Sequence, residues 1–138
     1  MCVVGLSKTC HPFRKMKGYD LNGAWIRFHN QFRPKSTLTV MTMKELADYD
    51  GQDGRPSYFS SNGLIWDVST SKSFQEDSSY GFFKGKDATI CLAKMSMNHK
   101  DVNRTDWDDL SDKEMESLHS WTRYFQEKYF IIGRLKEF

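Results

Sequence analysis

Long hydrophobic runs are missing from this chain of 138 residues. No stretch approaches the roughly eighteen consecutive apolar residues that a bilayer-spanning helix needs, so any membrane link is expected through a partner or surface contact. Cysteine is scarce as well. Cys2, Cys10 and Cys91 are too few and too irregularly spaced for a disulfide framework or a zinc site, and a reducing compartment is expected. Cys91 sits in an apolar stretch and is read as a small core residue. Also absent are a Gly-x-Ser-x-Gly elbow, a phosphate-binding glycine loop and a histidine pair at metal spacing. Hydrolytic and transferase chemistry therefore has no support, and no catalytic residue is expected. The four histidines, His11, His29, His99 and His119, are read as surface residues.

Aromatic residues are plentiful, with ten Phe, six Tyr and four Trp. A single domain of this size with that many rings can bury one core. Charge is unevenly spread. Residues 1–36 carry seven Lys or Arg against Asp20 alone, a balance of +6, and the remainder carries −4. The asymmetry separates a basic N-terminal extension, residues 1–38, from an acidic domain, residues 39–138. The extension reads equally as a mitochondrial targeting segment or as an arm that lies on an acidic partner or anionic lipid. It is expected to be disordered or extended in the isolated protein. Its cations interleave with Tyr19, Trp25, Phe28 and Phe32, but no nucleic-acid-binding module accompanies them, and no nucleic acid is expected as a partner.

Local signals divide the rest. Pro34 marks a linker, and residues 37–41 alternate as a first strand. Thr42-Met43-Lys44-Glu45 is a capping box opening a short helix with Met43, Leu46 and Tyr49 roughly on one side. Asn62-Gly63, between 58–61 and 64–68, predicts a two-residue type I′ hairpin, because both residues tolerate positive φ. Asp87 is expected to N-cap a helix over 88–95. Residues 98–109 read as a polar surface excursion. Ser111-Asp112-Lys113-Glu114 is a second capping box, followed by Met115, Leu118, Trp121 or Thr122, and Phe125 at helical spacing. Residues 130–135 read as a closing strand. The carboxylates at 106, 108, 109, 112, 114 and 116 are read as solvated faces and helix N-terminal charge. Short helices mixed with hairpin strands argue for an α+β domain.

The order of these motifs resembles the membrane-associated progesterone receptor family. Thr42-Met43-Lys44-Glu45-Leu46 with Tyr49-Asp50-Gly51 is similar to its opening helix. Asn62-Gly63-Leu64-Ile65-Trp66-Asp67-Val68-Ser69 resembles its hairpin. Tyr80-Gly81-Phe82-Phe83-Lys84-Gly85-Lys86-Asp87-Ala88-Thr89 matches its most specific run. Asp109-Leu110-Ser111, Trp121 with Phe125, Lys128-Tyr129 and Gly133-Arg134 follow in order.

The resemblance implies a cytochrome b5-like heme/steroid-binding domain, with short helices around a small mixed sheet. It implies heme b held without the usual pair of axial histidines, by a tyrosine phenolate whose matching position is Tyr80. A free phenol titrates near pH ~10, but a ferric ion favours its anion. The resemblance also places Lys128 and Tyr129, and less strongly Lys86, near a heme propionate. The expected small-molecule partner is heme or a sterol. The expected role is a non-catalytic, iron-binding accessory module docked through its arm on a membrane-bound protein or assembly, mitochondrial rather than in the endoplasmic reticulum. A heme-free structural subunit is the alternative. The sequence departs from the family at residues 75–79, Gln-Glu-Asp-Ser-Ser, where glycines and a first tyrosine usually stand. Glu76 and Asp77 are expected beside the cofactor, where two carboxylates would weaken its retention.

Overall fold

The computed structural model describes residues 21–32, 38–75 and 77–138. Among these residues four strands form one mixed sheet: β1 Thr39–Met41, β2 Tyr58–Ser61, β3 Leu64–Asp67 and β4 Phe130–Leu135, in the order β1-β4-β3-β2. The hairpin forms as the sequence predicts. Asn62 and Gly63 take φ of 51° and 77°, both left-handed, as a type I′ turn requires. The C-terminal strand sits in the interior of the sheet, antiparallel to β3 and parallel to β1. Gly133 makes the second pairing possible. A Cβ there would lie 2.4 Å from the Thr39 carbonyl oxygen, so any larger residue would push β1 away.

Among the described residues four α-helices surround the sheet: α1 Leu21–Phe32, α2 Met43–Leu46, α3 Thr89–Ala93 and α4 Asp112–Lys128. Both predicted capping boxes are present, Thr42 with Glu45 and Ser111 with Glu114, each satisfying backbone N–H groups that a helix start leaves open. On α4 the buried positions are Leu118, Thr122 and Phe125, a stripe of helical period. Cys91 is buried in the core, and burial pushes its thiol up to about 11, so it is an inert core residue.

Three expectations are corrected. Asp87 does not N-cap α3; Ala88 occupies that position and the helix ends at Ala93. The Asp87 carboxylate is buried and accepts from the Ser60 hydroxyl and the Thr89 hydroxyl, each at 2.8 Å, tying β2 to the start of α3. His29 is half-buried rather than on the surface, with its ring edge-on to Phe130 at 4.7 Å. The third concerns the basic extension. Its residues 21–32 are neither extended nor disordered but form α1, which packs on α4 and β4 with Ile26 buried. The rest of the extension and the Pro34 linker lie outside the described residues.

Of the carboxylates read as solvated, Asp108, Asp109, Asp112 and Glu116 are exposed, whereas Asp106 and Glu114 are engaged in ion pairs. Asp101 accepts from the Ser96 hydroxyl and pairs with Arg104 at 2.8 Å, Asp106 pairs with Arg104, and these bonds hold both carboxyls below their usual range. Glu114 pairs with Lys94 at 2.8 Å, which with the Ser111 amide lowers its carboxyl to about 2.

Candidate functional site

Between the 3-10 turns at 72–74 and 81–83 and the face of α4 lies a cleft of about 590 Å³. Phe74, Tyr80, Phe83, Trp121, Tyr124, Phe125 and Tyr129 supply its walls, with Leu92 and Met95 from the end of α3 and the hydroxyls of Ser73, Ser117 and Ser120. The local sequence explains the wall. On α4 the residues 117, 120, 121, 124 and 125 recur at three- and four-residue spacing, so they share one helix face. Trp121 and Phe125 stack at 5.6 Å along it. Met95, at φ 53° just past α3, stands 77% exposed at the mouth.

Tyr80 immediately precedes the 81–83 turn with φ −94° and ψ 0°, in the sparsely populated bridge region where many functional residues sit. Its ring is half-buried, tilted against Phe74 at 6.1 Å and Phe83 at 5.9 Å. Tyr129 ends α4, its ring edge-on to Phe74 at 5.8 Å, its hydroxyl 3.1 Å from the Ser71 hydroxyl. The structure thus brings Tyr80 and Tyr129, nearly fifty residues apart in sequence, to one cleft. Lys128 holds its ammonium 5.0 Å over the Tyr124 ring, one of the lining groups, and so stands at the rim. Lys86 is not brought to the cleft lining: its ammonium donates to the Phe82 carbonyl at 3.1 Å.

Among the described residues, no histidine lines the cleft. His119 is exposed, and His99, also exposed, stacks on Phe82 at 4.1 Å. Among the described residues, no group of three or more His, Cys, Asp or Glu could hold a metal ion. Asp77 is also placed differently from expectation. Asp77 lines a separate polar pocket with Arg55 and Lys84, and it is not among the groups of the aromatic cleft; Glu76 lies outside the described residues. The hydroxyl partner of Tyr129, Ser71, and the exposed Met95 carried no sequence signal. Trp121 and Phe125 were legible as core residues, but not as a wall with one open side.

The chain is 38% identical over 96 residues to "Probable steroid-binding protein 3" of Arabidopsis thaliana, a match covering 68% of this chain and 95% of that one. It belongs to the membrane-associated progesterone receptor and steroid-binding family. "Membrane-associated progesterone receptor component 2" of Homo sapiens is 36% identical over 106 residues, covering 74% of this chain and 47% of the relative. The chain therefore spans about half the length of that family member. A solved Arabidopsis thaliana structure, described as having a cytochrome b5 like fold, superposes with a TM-score of 0.64 at 36% identity, over 75% of this chain and 95% of that one. The fold is cytochrome b5-like. No family model matches the chain. The human family member is named as membrane-associated, and among the described residues no helix of this chain is long and apolar enough to cross a membrane.

Proposed function

We propose that this family member is a non-catalytic heme-binding module in which the Tyr80 phenolate is the axial ligand. The observation that carries the reading is the donor set of the cleft: three phenols, Tyr80, Tyr124 and Tyr129, in a wall of aromatic rings, with no histidine among the described residues that line it. The size fits, since small-molecule and cofactor sites run from about 300 to 1,000 Å³. Heme, when bound, supplies a ferric centre that favours a hard anionic oxygen. Met95 offers only a soft thioether, less suited to ferric iron than a phenolate. Phe74 and Phe83 pack against the Tyr80 ring and hold it in place. Tyr129 and Lys128 at the end of α4 serve a propionate, one by hydrogen bonding and the other by charge. Lys86 is the weakest member of the set, because the Phe82 carbonyl already engages it.

In this reading the module supports or docks on a membrane-bound, mitochondrial partner, and the basic extension supplies the docking charge. The alternative is a heme-free accessory subunit. It is favoured by the loop at 75–79, which lacks the family's glycines and is pinned by Ser78, whose hydroxyl lies 2.6 Å from the Ser73 carbonyl oxygen. The absorption spectrum of protein titrated with hemin separates the two. The expected result is a ferric tyrosinate Soret band that is lost in Tyr80→Phe, which removes one oxygen and leaves the fold intact. Substituting His99 and His119 should leave the band unchanged. A band that survives Tyr80→Phe, or no band in the unsubstituted protein, would overturn the proposal.

A further inference from the structure

One side chain of α1 makes three hydrogen bonds to the junction where α4 turns into β4. Asn30 Nδ2 donates to the Gln126 carbonyl at 2.9 Å and to the Tyr129 carbonyl at 2.8 Å, and Asn30 Oδ1 accepts from the Ile131 N–H at 2.8 Å. The match is chemical as well as spatial. Gln126 carries one of the last four carbonyls of α4, which have no partner within the helix. The Ile131 N–H lies two residues before the Gly133–Leu135 stretch where β1 pairs with β4, and there the amide oxygen of Asn30 accepts from it. A primary amide presents both donors and an acceptor, which is the combination this junction needs. Ile26, buried one turn earlier, and His29, edge-on to Phe130, seat the helix around the amide.

Tyr129 stands in the middle of this junction. Asn30 fixes its carbonyl, Phe125 accepts from its N–H at 2.8 Å, and Ser71 meets its hydroxyl. Its ring is a wall of the cleft.

We infer that Asn30 is a positioning residue for the cleft: by clamping the junction at 126–131 it sets the Tyr129 ring and hydroxyl, and so the affinity of the cleft for its ligand. The ligand part of the inference rests on the heme reading above; the positioning part does not. It makes α1 part of the site's support, although Asn30 does not itself line the cleft.

The test uses the full chain with Asn30→Ala, Tyr129→Leu and the double variant, titrated with hemin. Asn30→Ala should weaken hemin binding about tenfold, the effect of losing on the order of one good interaction. In the Tyr129→Leu background the same substitution should add less than about twofold, because the group it positions is gone. Equal, multiplying effects in both backgrounds would show a merely structural role and overturn the inference. A ligand-free measurement keeps it separate from the heme reading: the ring signals of Tyr129 and the amide exchange of Ile131, followed by NMR without hemin. Both should change in Asn30→Ala and also in the isosteric Asn30→Asp, which keeps an acceptor for Ile131 but cannot donate to the two carbonyls. If the protein fails to bind hemin while these signals move, the heme reading falls and the positioning stands. If Asn30→Ala unfolds, Asn30→Asp decides. Unchanged Tyr129 signals in the folded variants would overturn the inference whatever hemin does.

Discussion

Two packed clusters hold the sheet, and they are built from different side chains. One is small and mainly aliphatic: Met41, Leu46, Ile65 and Leu135, covered by Met43, Tyr49, Tyr58, Trp107 and Ile132. The other is aromatic, with Phe59, Trp66, Phe74, Phe83 and Phe125 at its centre, and its outer edge is the cleft. Aliphatic chains interdigitate and fill space to near crystal density. Flat rings with two torsions tile instead. Phe59 stacks on Phe74 at 4.9 Å and meets Phe125 edge-on at 5.3 Å, and the rings beyond them stand as a wall. A stiff wall does not collapse into the space beside it. The contrast teaches that the aliphatic cluster is there for stability and the aromatic one for stability and a site together.

The largest expected effect breaks that contrast if it is wrong. Phe125→Ala removes a ring that touches Phe59, Trp66, Trp121 and Tyr129, and should cost about 3–5 kcal/mol of unfolding free energy. Leu46→Ala, at 0% exposure in the aliphatic cluster, should cost about 2–5 kcal/mol. Urea unfolding measures both. The two should part in hemin titration: folded Leu46→Ala retains its affinity, whereas Phe125→Leu, which keeps the core filled, loses most of it. Equal affinities for the two variants would mean that the clusters do not divide the work.

A second prediction concerns a charge at the back of the aromatic cluster. Burial pushes the Asp87 carboxyl up to about 6, against the opposing hydrogen bonds from Ser60 and Thr89. The folded protein therefore holds that proton more tightly than the unfolded chain, where the carboxyl has its ordinary value of 3.8. With the folded value raised, the stabilising contribution is complete below the ordinary value and is lost as pH rises through about 6. Between about pH 5 and 7 the loss is on the order of 1 kcal/mol, and the full offset is about 3 kcal/mol. The lowered carboxyls of Asp50, Asp101, Asp106 and Glu114 act with the opposite sign, at pH values below this window. Urea unfolding of the unsubstituted protein should thus weaken across the window, and Asp87→Asn should flatten the slope. An unchanged slope in Asp87→Asn would assign it to another group.

Asp87 also shows where sequence reading ran out. The capping boxes, the Asn62-Gly63 turn and the α4 stripe were legible because each is a local signal, complete within a few residues. The Asp87 hydrogen bond to Ser60 crosses 27 residues, and the Asn30 bonds to Gln126 and Tyr129 cross 96 and 99. An aspartate before a short apolar run looks the same in sequence whether it caps a helix or is buried against a strand. An asparagine in a basic extension looks the same whether it is solvated or clamps a distant junction. The parallel pairing of β1 with β4 is similarly invisible, although Gly133 is its trace. Tyr80 and Tyr129 were reached through the family resemblance alone; what brings them together is the packing of two turns onto α4.

The smallest expected effect sharpens the comparison along one helix. α4 serves both stability and the cleft, but from different parts. Its N-terminus is capped by the Ser111 hydroxyl, which accepts from the Glu114 N–H at 3.1 Å, while the cleft-lining residues begin at Ser117. The cap is exposed, so water replaces part of what the hydroxyl supplies, and Ser111→Ala should cost about 0.5–1 kcal/mol, the lower part of the range for such caps. Fraying of the first turn stops where Leu118, at 0% exposure, anchors the helix in the aromatic cluster. Hemin affinity should therefore stay within about twofold of the unsubstituted protein, since less than 0.4 kcal/mol or so reaches the wall. A larger drop in affinity would mean that α4 moves as one rigid body from its cap to Tyr129, and that the cleft reports on the whole helix rather than on its C-terminal half.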